Sequence, residues 1–500
     1  MKKILLGTSQ MNPPRRCFNC SQSSCTICTL RLLAVSRLAA NSFVMCILLP
    51  CLLVLSSCAV LRGERDYLPA EAMDKKLTYM PLVVDLTRYQ PVQSPEGRPW
   101  QRPDLVVVIA ASGGGYRAAN LTAGVLMGLE DYESPQLNGR LLDEVDYFST
   151  VSGGGFGVGA YLAMLRDYLA QYPDVTDLYG LSFESTLEQG ISRTHEVHMQ
   201  GLPQLTASYT SQMIANLFKA RFIADIYGGE LLEQQLEKDI FGDKNEVFRL
   251  NDIFIPINEP ASKVKLPYWV ANATIFQNGA IFPFTPDILA RYKIIKYRYA
   301  QKEWQFPGSY ADPQYGGELP VVVGMRTSAN FPIAVPPTTL VSAGCEQPCY
   351  LHLLDGGLAD NLGVNTALNL LERDKAPHKL LIVIDAYRDS PEPYSASGEQ
   401  PGNADFLMRL GEIGIDSARN RLKSQLRQVA RSLLCSRDAD DVLTLYLDID
   451  KYPEARAIST SLDITASEQQ LLLQIGKELV ENARPELDGF FRGDMRYQCL

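Results

Sequence analysis

The first long apolar run after residue 100 is Leu105-Val106-Val107-Val108-Ile109-Ala110. No polar position interrupts it, which predicts a short strand buried on both faces. Ser112-Gly113-Gly114-Gly115-Tyr116-Arg117 follows, and then Ala118, Leu121, Val125 and Leu129 recur at helical spacing, predicting a helix over 118–130. A second strand, Val145–Thr150, runs into Val151-Ser152-Gly153-Gly154-Gly155. The three elements make a βαβ unit with parallel strands.

The stretch after Ser152 reads as a helix in its second half, yet carries five glycines between 153 and 159. Each glycine inside a helix costs up to about 1 kcal/mol relative to alanine, so the cluster implies close backbone packing or a ligand. Residues 182–252 mix helical stretches with polar breaks and read as a cap or insertion. Strand patterns return at Tyr268–Phe276, Pro320–Met325, Tyr350–Leu354 and Leu380–Asp385. Farther on come a helix over Asp405–Leu434, a strand over Val442–Leu447, and a helix opened by the capping box Thr465-Ala466-Ser467-Glu468. Helix and strand alternate as a single large α/β domain requires.

Composition narrows the class. A chain of 500 residues that is 46% hydrophobic can bury a large core, and 21% charged residues is ordinary for a globular protein. The formal charge of -10 disfavours a nucleic-acid partner and gives no general attraction to anionic lipid. Membrane contact is therefore expected to be apolar or covalent.

The amino-terminal region supplies a covalent route. Arg31 and Arg37 precede an apolar stretch from Phe43 to Leu55, which closes on Leu55-Ser56-Ser57-Cys58. This arrangement resembles a bacterial lipoprotein signal with Cys58 as the lipidated residue, and Ala59 after it resembles the pattern routed to the outer membrane. A single transmembrane anchor over Phe43–Leu61 is the alternative, weakened by Pro50 and the two serines. Residues 1–58 are then a leader, 59–103 a linker, 104–400 the catalytic domain with its insertion, and 401–500 helices and a strand packed on the same domain. Cys17, Cys20, Cys25 and Cys28 have zinc-like pair spacing, but the gap between pairs is tight and the segment precedes the apolar stretch. No metal or other cofactor is expected. Beyond Cys58 the cysteines are Cys345, Cys349, Cys435 and Cys499, an even number that suits disulfides in an oxidising compartment, with no pairing readable.

The chemistry follows from the two glycine turns. A serine needs a base to become a nucleophile, and its tetrahedral product needs donors aimed at an oxyanion. Ser152 stands where strand meets helix, as in the nucleophile elbow G-x-S-x-G, with Gly154 in place and Thr150 where the first glycine is expected. Histidine is scarce: His195, His198, His352 and His378. His195-Glu196-Val197-His198 is one residue short of a zinc-binding helical face, and His378 reads as a loop residue. Asp355-Gly356-Gly357 instead puts a carboxylate on a turn at the end of a strand, where α/β sheets bind ligands. Asp360-Asn361 would support that loop, while Arg117 either holds the first turn or faces a substrate anion.

Taken together, Ser112 to Ala118, Val151-Ser152-Gly153-Gly154 and Asp355-Gly356-Gly357 resemble, in order, the motif blocks of the patatin-like phospholipases. The arginine after the glycines is similar to the cytosolic phospholipase A2 group, and Ser328-Ala329-Asn330-Phe331-Pro332 is a further match. The resemblance implies a three-layer α/β/α fold with a mainly parallel central sheet. It also implies hydrolysis of lipid acyl esters through an acyl-enzyme: Ser152 the nucleophile, Asp355 the base, Gly113, Gly114 and Gly115 the oxyanion donors. The implied partners are a lipid or phospholipid substrate and, through Cys58, a membrane. Three rivals stay open: a Ser-His-Asp esterase, an inactive lipid-anchored scaffold, and a dinucleotide-binding enzyme. The last lacks the acidic residue its second strand requires.

Overall fold

The computed structural model describes residues 84–493 apart from 91–97, 99, 138, 184–231, 235, 242–246, 258–264, 300–301, 313–314, 332–336, 388–408, 410, 425, 427–440 and 461–463. All described residues belong to one compact unit, Ala70–Leu500. The leader, Cys58, the four early cysteines, His195 and His198 lie outside them, as does most of the proposed insertion.

A ten-stranded sheet organises the domain. Its strands are β1 (Leu105–Ala111), β2 (Val145–Thr150), β3 (Tyr268–Ile275), β4 (Ile281–Phe284), β5 (Ile294–Tyr299), β6 (Lys302–Gln305), β7 (Thr338–Ser342), β8 (Cys349–Asp355), β9 (His378–Asp385) and β10 (Asp441–Asp448). The order is β10-β9-β1-β2-β3-β8-β7-β5-β6, with β4 paired to β3. From β10 to β3 every pairing is parallel. From β3 onward every pairing is antiparallel. β3 is therefore the seam between a parallel and an antiparallel half.

The parallel half matches the apolar runs that predicted it. Every residue of β1, β2 and β3 is buried, as a sheet covered on both faces demands. Helix α1 (Gly115–Glu130) begins three residues before the periodicity predicted, because the glycines themselves form its entrance. Helix α2 (Gly153–Gln171) starts directly after Ser152.

One expectation fails. The Val321-Val322-Val323 run predicted a strand, and the chain instead forms helix α3 (Val321–Ser328). A short apolar run has no period of its own, so tertiary burial decides its conformation. Here all eight residues are buried and the helix packs across β3 and β8, with Pro320 as its N-cap. Helix α4 (Val364–Arg373) packs against β1, β2 and β9. Residues 411–424 are helical, and helix α5 (Ala466–Phe491) opens on the expected capping box, the Glu468 N–H donating to Thr465 Oγ1 at 3.2 Å.

Helix α5 lies along α1 with the two backbones in contact. A Cβ on Gly124 would lie 2.3 Å from the Leu473 carbonyl oxygen, and one on Gly476 would lie 2.5 Å from the Gly124 carbonyl carbon. Neither neighbour is a side chain that can swing aside. Helix propensity favours alanine over glycine by up to about 1 kcal/mol, whereas overpacking against rigid backbone costs about 1–3 kcal/mol. Gly476→Ala is accordingly expected to lower the midpoint of thermal unfolding by several degrees; an unchanged or higher midpoint would show that the helices are not in backbone contact.

Candidate active site

The site forms where β2 ends. After Thr150 the chain turns through Val151 and Ser152 into α2, and the Val151 N–H donates to the Ala111 carbonyl at 3.0 Å. Ser152 takes φ 49° and ψ -125°, one of two non-glycine residues with positive φ among those described. Such strain costs on the order of 1–3 kcal/mol and persists only where surroundings impose it. The Ser152 N–H donates to Ser328 Oγ at 2.9 Å, and Ser328 Oγ donates onward to the Asn272 carbonyl at 2.5 Å. The elbow is held from α3 and β3.

Thr150, the residue at odds with the elbow pattern, fits for a local reason. Its hydroxyl accepts the Trp269 indole N–H at 2.8 Å and lies 3.0 Å from where a Cβ on Gly155 would sit. The bulk at 150 is offset by the missing side chain at 155. Gly153 answers the other question raised by the glycine cluster, since a Cβ there would lie 1.9 Å from the Gly115 carbonyl oxygen. The starts of α1 and α2 touch through their backbones.

Asp355 reaches the same point from the opposite direction. Thr150 stands level with Ala271, and Ala273 stands level with Asp355. Ser152, two residues beyond Thr150, therefore arrives near the level of Asp355 on the far side of β3. The carboxylate stands at the end of its strand as expected, and that strand, β8, runs antiparallel to β3. Its loop is fixed by the Asp355 N–H to the Asn330 carbonyl (3.0 Å), the Gly356 N–H to the Ser328 carbonyl (3.2 Å) and Thr274 Oγ1 to the Asp355 carbonyl (2.7 Å).

Burial dominates the acid–base behaviour of Asp355, pushing its pKa up to about 7. The Gly357 N–H, 2.7 Å from Oδ1, and the nearby Ser152 hydroxyl act in the opposite sense and are outweighed. A carboxyl titrating near neutrality suits a general base far better than one near 4.

The glycine turn faces this pair. Gly114 (φ 148°) and Gly115 (φ 60°) adopt conformations that side chains disfavour. Among the described residues no acceptor is recorded for the N–H of Gly114 or of Gly115, which opens α1. Gly113 departs from expectation, because its N–H is committed to the Asn361 carbonyl at 3.0 Å. Its role in the turn is to close it, and two donors remain for an anion.

Arg117 takes the structural of its two readings. Fully buried, it donates to the carbonyls of Ala386 (2.8 Å) and Ile458 (2.6 Å) and to Thr460 Oγ1 (2.9 Å). These bonds tie the start of α1 to the chain beyond β9 and β10. Asp360 supports the Asp355 loop, accepting from the N–H groups of Leu362, Gly363 and Asn365. His378 sits level with Leu105 at the first residues of β9 and β1, between Asp104 and Asp441, so it lies at the end of the sheet remote from Ser152. His352 is on β8 with Nδ1 beside Thr339 Oγ1 at 2.9 Å. Cys345 and Cys349 form a disulfide across the β7–β8 connection; Cys435 and Cys499 lie outside the described residues. The clamping roles of Asn272, Thr274, Ser328 and Asn330 are not readable from their spacing, although the Ser328-Ala329-Asn330 match marks part of them.

Comparison with known proteins agrees in kind. The family model described as patatin-like phospholipase matches residues 109–368. No curated protein matches significantly. Among solved structures, human GIVD cytosolic phospholipase A2 aligns with a TM-score of 0.36 and 13% identity, covering 77% of this chain and 60% of that one. The same protein in complex with methyl gamma-linolenyl fluorophosphonate inhibitor and terbium chloride aligns with a TM-score of 0.39 and 14% identity, covering 82% and 63%. The chain thus spans less than two thirds of the length of these structures.

The raised pKa of Asp355 has a sign that can be tested. Between about pH 4 and 7 the folded protein keeps a proton that the unfolded chain has released, so stability falls as pH rises through that window. Asp355→Asn, permanently neutral, should be more stable than the parent at pH 8, on the order of a few kcal/mol, with the gap narrowing toward pH 4. Equal unfolding midpoints at pH 8 would contradict the burial argument.

Proposed function

We propose, because this chain belongs to the patatin-like phospholipase family, that it hydrolyses carboxylic esters of lipids through a Ser152–Asp355 dyad. The observation that carries this reading is the strained Ser152 elbow brought up to the buried Asp355 carboxyl, whose pKa burial pushes up to about 7. Ser152 Oγ attacks the acyl carbon while Asp355 takes its proton, and the developing oxyanion lies toward the Gly114 and Gly115 N–H groups. Collapse of the tetrahedral intermediate expels the alcohol, which takes the proton from Asp355, and leaves an acyl-serine. Water then repeats the sequence with Asp355 again as base. The substrate class is a phospholipid or lysophospholipid.

The far-end position of His378 and the contact of His352 with Thr339 favour the dyad over a Ser-His-Asp triad among the described histidines. Fluorophosphonate treatment should label Ser152. Ser152→Ala and Asp355→Asn should each reduce hydrolysis of p-nitrophenyl acyl esters and phospholipid by at least about 10³-fold, while His378→Ala retains it. Full hydrolysis by Ser152→Ala would sink the mechanism, and absence of both labelling and hydrolysis in the parent would favour the scaffold reading. With Asp355 as the base, kcat/KM should climb with pH up to about 7 and then level off.

For location, the sequence before Cys58 supports a bacterial lipoprotein anchored through that residue and facing the periplasm from the outer membrane. The Cys345–Cys349 disulfide suits an oxidising compartment of this kind. Labelled palmitate should enter the wild-type chain and not Cys58→Ala, and globomycin should block processing; an unlabelled wild-type chain would point to the transmembrane alternative.

A further inference from the structure

Asn361 is the polar residue at this site that the mechanism above leaves without a task. Its backbone carbonyl receives the Gly113 N–H, so it links the loop carrying Asp355 to the glycine turn. Its side chain stands in the gap between them. Oδ1 lies 2.5 Å from where a Cβ on Gly113 would sit and 2.7 Å from where a Cβ on Gly357 would sit. Those two positions are themselves 3.3 Å from Ser152 Cβ and 3.0 Å from Asp355 Oδ1. Both dyad residues thus border the space that the amide occupies, and glycine at 113 and 357 leaves room for it.

The amide is also unsatisfied. Asn361 is 5% exposed, and its Nδ2 has no hydrogen-bond partner among the described residues. A buried donor without an acceptor costs about 1–3 kcal/mol, so one that borders a nucleophile and its base calls for an explanation. A half-turn of the amide exchanges its oxygen and nitrogen and puts the NH₂ group where Oδ1 now stands, between the glycine turn and the Asp355 loop.

We propose that Asn361 is a catalytic residue: its side-chain N–H completes the oxyanion hole begun by Gly114 and Gly115, donating to the ester carbonyl oxygen of the substrate. The proposal rests on the Ser152–Asp355 reading. As the Oγ–carbon bond forms and the Ser152 proton passes to Asp355, the carbonyl π pair moves onto oxygen. That oxygen then accepts from Asn361 more strongly than the neutral carbonyl did. When the pair returns, the carbon–alkoxide bond breaks and the leaving oxygen takes the proton from Asp355. The donor gives most of its stabilisation after attack, so its loss falls on kcat.

The test compares wild type with Asn361→Ala and Asn361→Ser on paired oxo- and thionoesters of one acyl chain, since sulfur is a poor acceptor for such a donor. Ser152→Ala is measured alongside. Expected for Asn361→Ala are a kcat about 10²–10³-fold lower on the oxoester, KM within a few-fold, and a collapsed preference for oxo- over thionoester. Asn361→Ser, which keeps a short donor, should recover part of both. A loss of kcat with the oxo/thiono preference intact would overturn the proposal and leave Asn361 a structural residue, as would full activity in Asn361→Ala. Should Asn361→Ala fail to fold, the preference measured in Asn361→Ser decides on the same terms. Activity surviving in Ser152→Ala would instead strike the underlying dyad.

Discussion

Everything at the site hangs on β3, where the parallel and antiparallel halves of the sheet meet. Its two buried polar side chains work in both directions. Asn272 Nδ2 donates to the Thr150 carbonyl and Ser149 Oγ, each at 3.0 Å, while Thr274 Oγ1 holds the Asp355 carbonyl. The Asn272 carbonyl accepts from Ser328, whose hydroxyl in turn receives the Ser152 N–H. Pairing in opposite senses on its two sides, β3 lets the nucleophile arrive at the end of one strand and the base at the end of another running the other way. Polar side chains in a buried strand are costly unless satisfied. Here the bonds to the Thr150 and Asp355 carbonyls also help to set the separation of Ser152 from Asp355.

That separation matters because a carboxyl replaces the usual imidazole. A solvated aspartate would be nearly inert as a base at neutral pH, and burial brings it into range at the expense of folding stability. The same trade is visible at Ser152, held at positive φ by its N–H bond to Ser328 on α3, and at the start of α1, where two N–H groups have no acceptor among the described residues. A strained residue and an unsatisfied buried amide thus stand side by side at Ser152 and Asn361. The adjoining structure is correspondingly rigid: Arg117 ties α1 to the carboxyl-terminal segments, and α5 lies backbone to backbone on α1.

How much of this is legible in the chain divides along the range of the interactions. The βαβ unit, the two glycine turns and the Thr465 capping box are local, and pattern alone locates them. The strands at 268, 349, 378 and 441 are also readable to within a few residues, from the apolar residues that recur along each of them. The triple-valine run misled because its helical state comes from packing across β3 and β8. The direction of β8 comes from pairing with β3 about 80 residues earlier, and the diversion of the Gly113 N–H to Asn361 and the inward turn of Arg117 are contacts across more than 200 residues of sequence. Spacing carries no trace of such contacts. Thr150 shows the converse: an apparent defect in a motif is resolved by Gly155 and Trp269, neither of which the motif contains.

The central claim is that acyl transfer passes through Ser152 with a carboxylate as its base. Rapid quenching during turnover of a slowly deacylated ester, followed by mass analysis of the peptides, tests it most directly. The account predicts a peptide heavier by one acyl group with the modification on Ser152, formed far more slowly in Asp355→Asn. Turnover without any acylated peptide, or an acyl group on another residue, would contradict it.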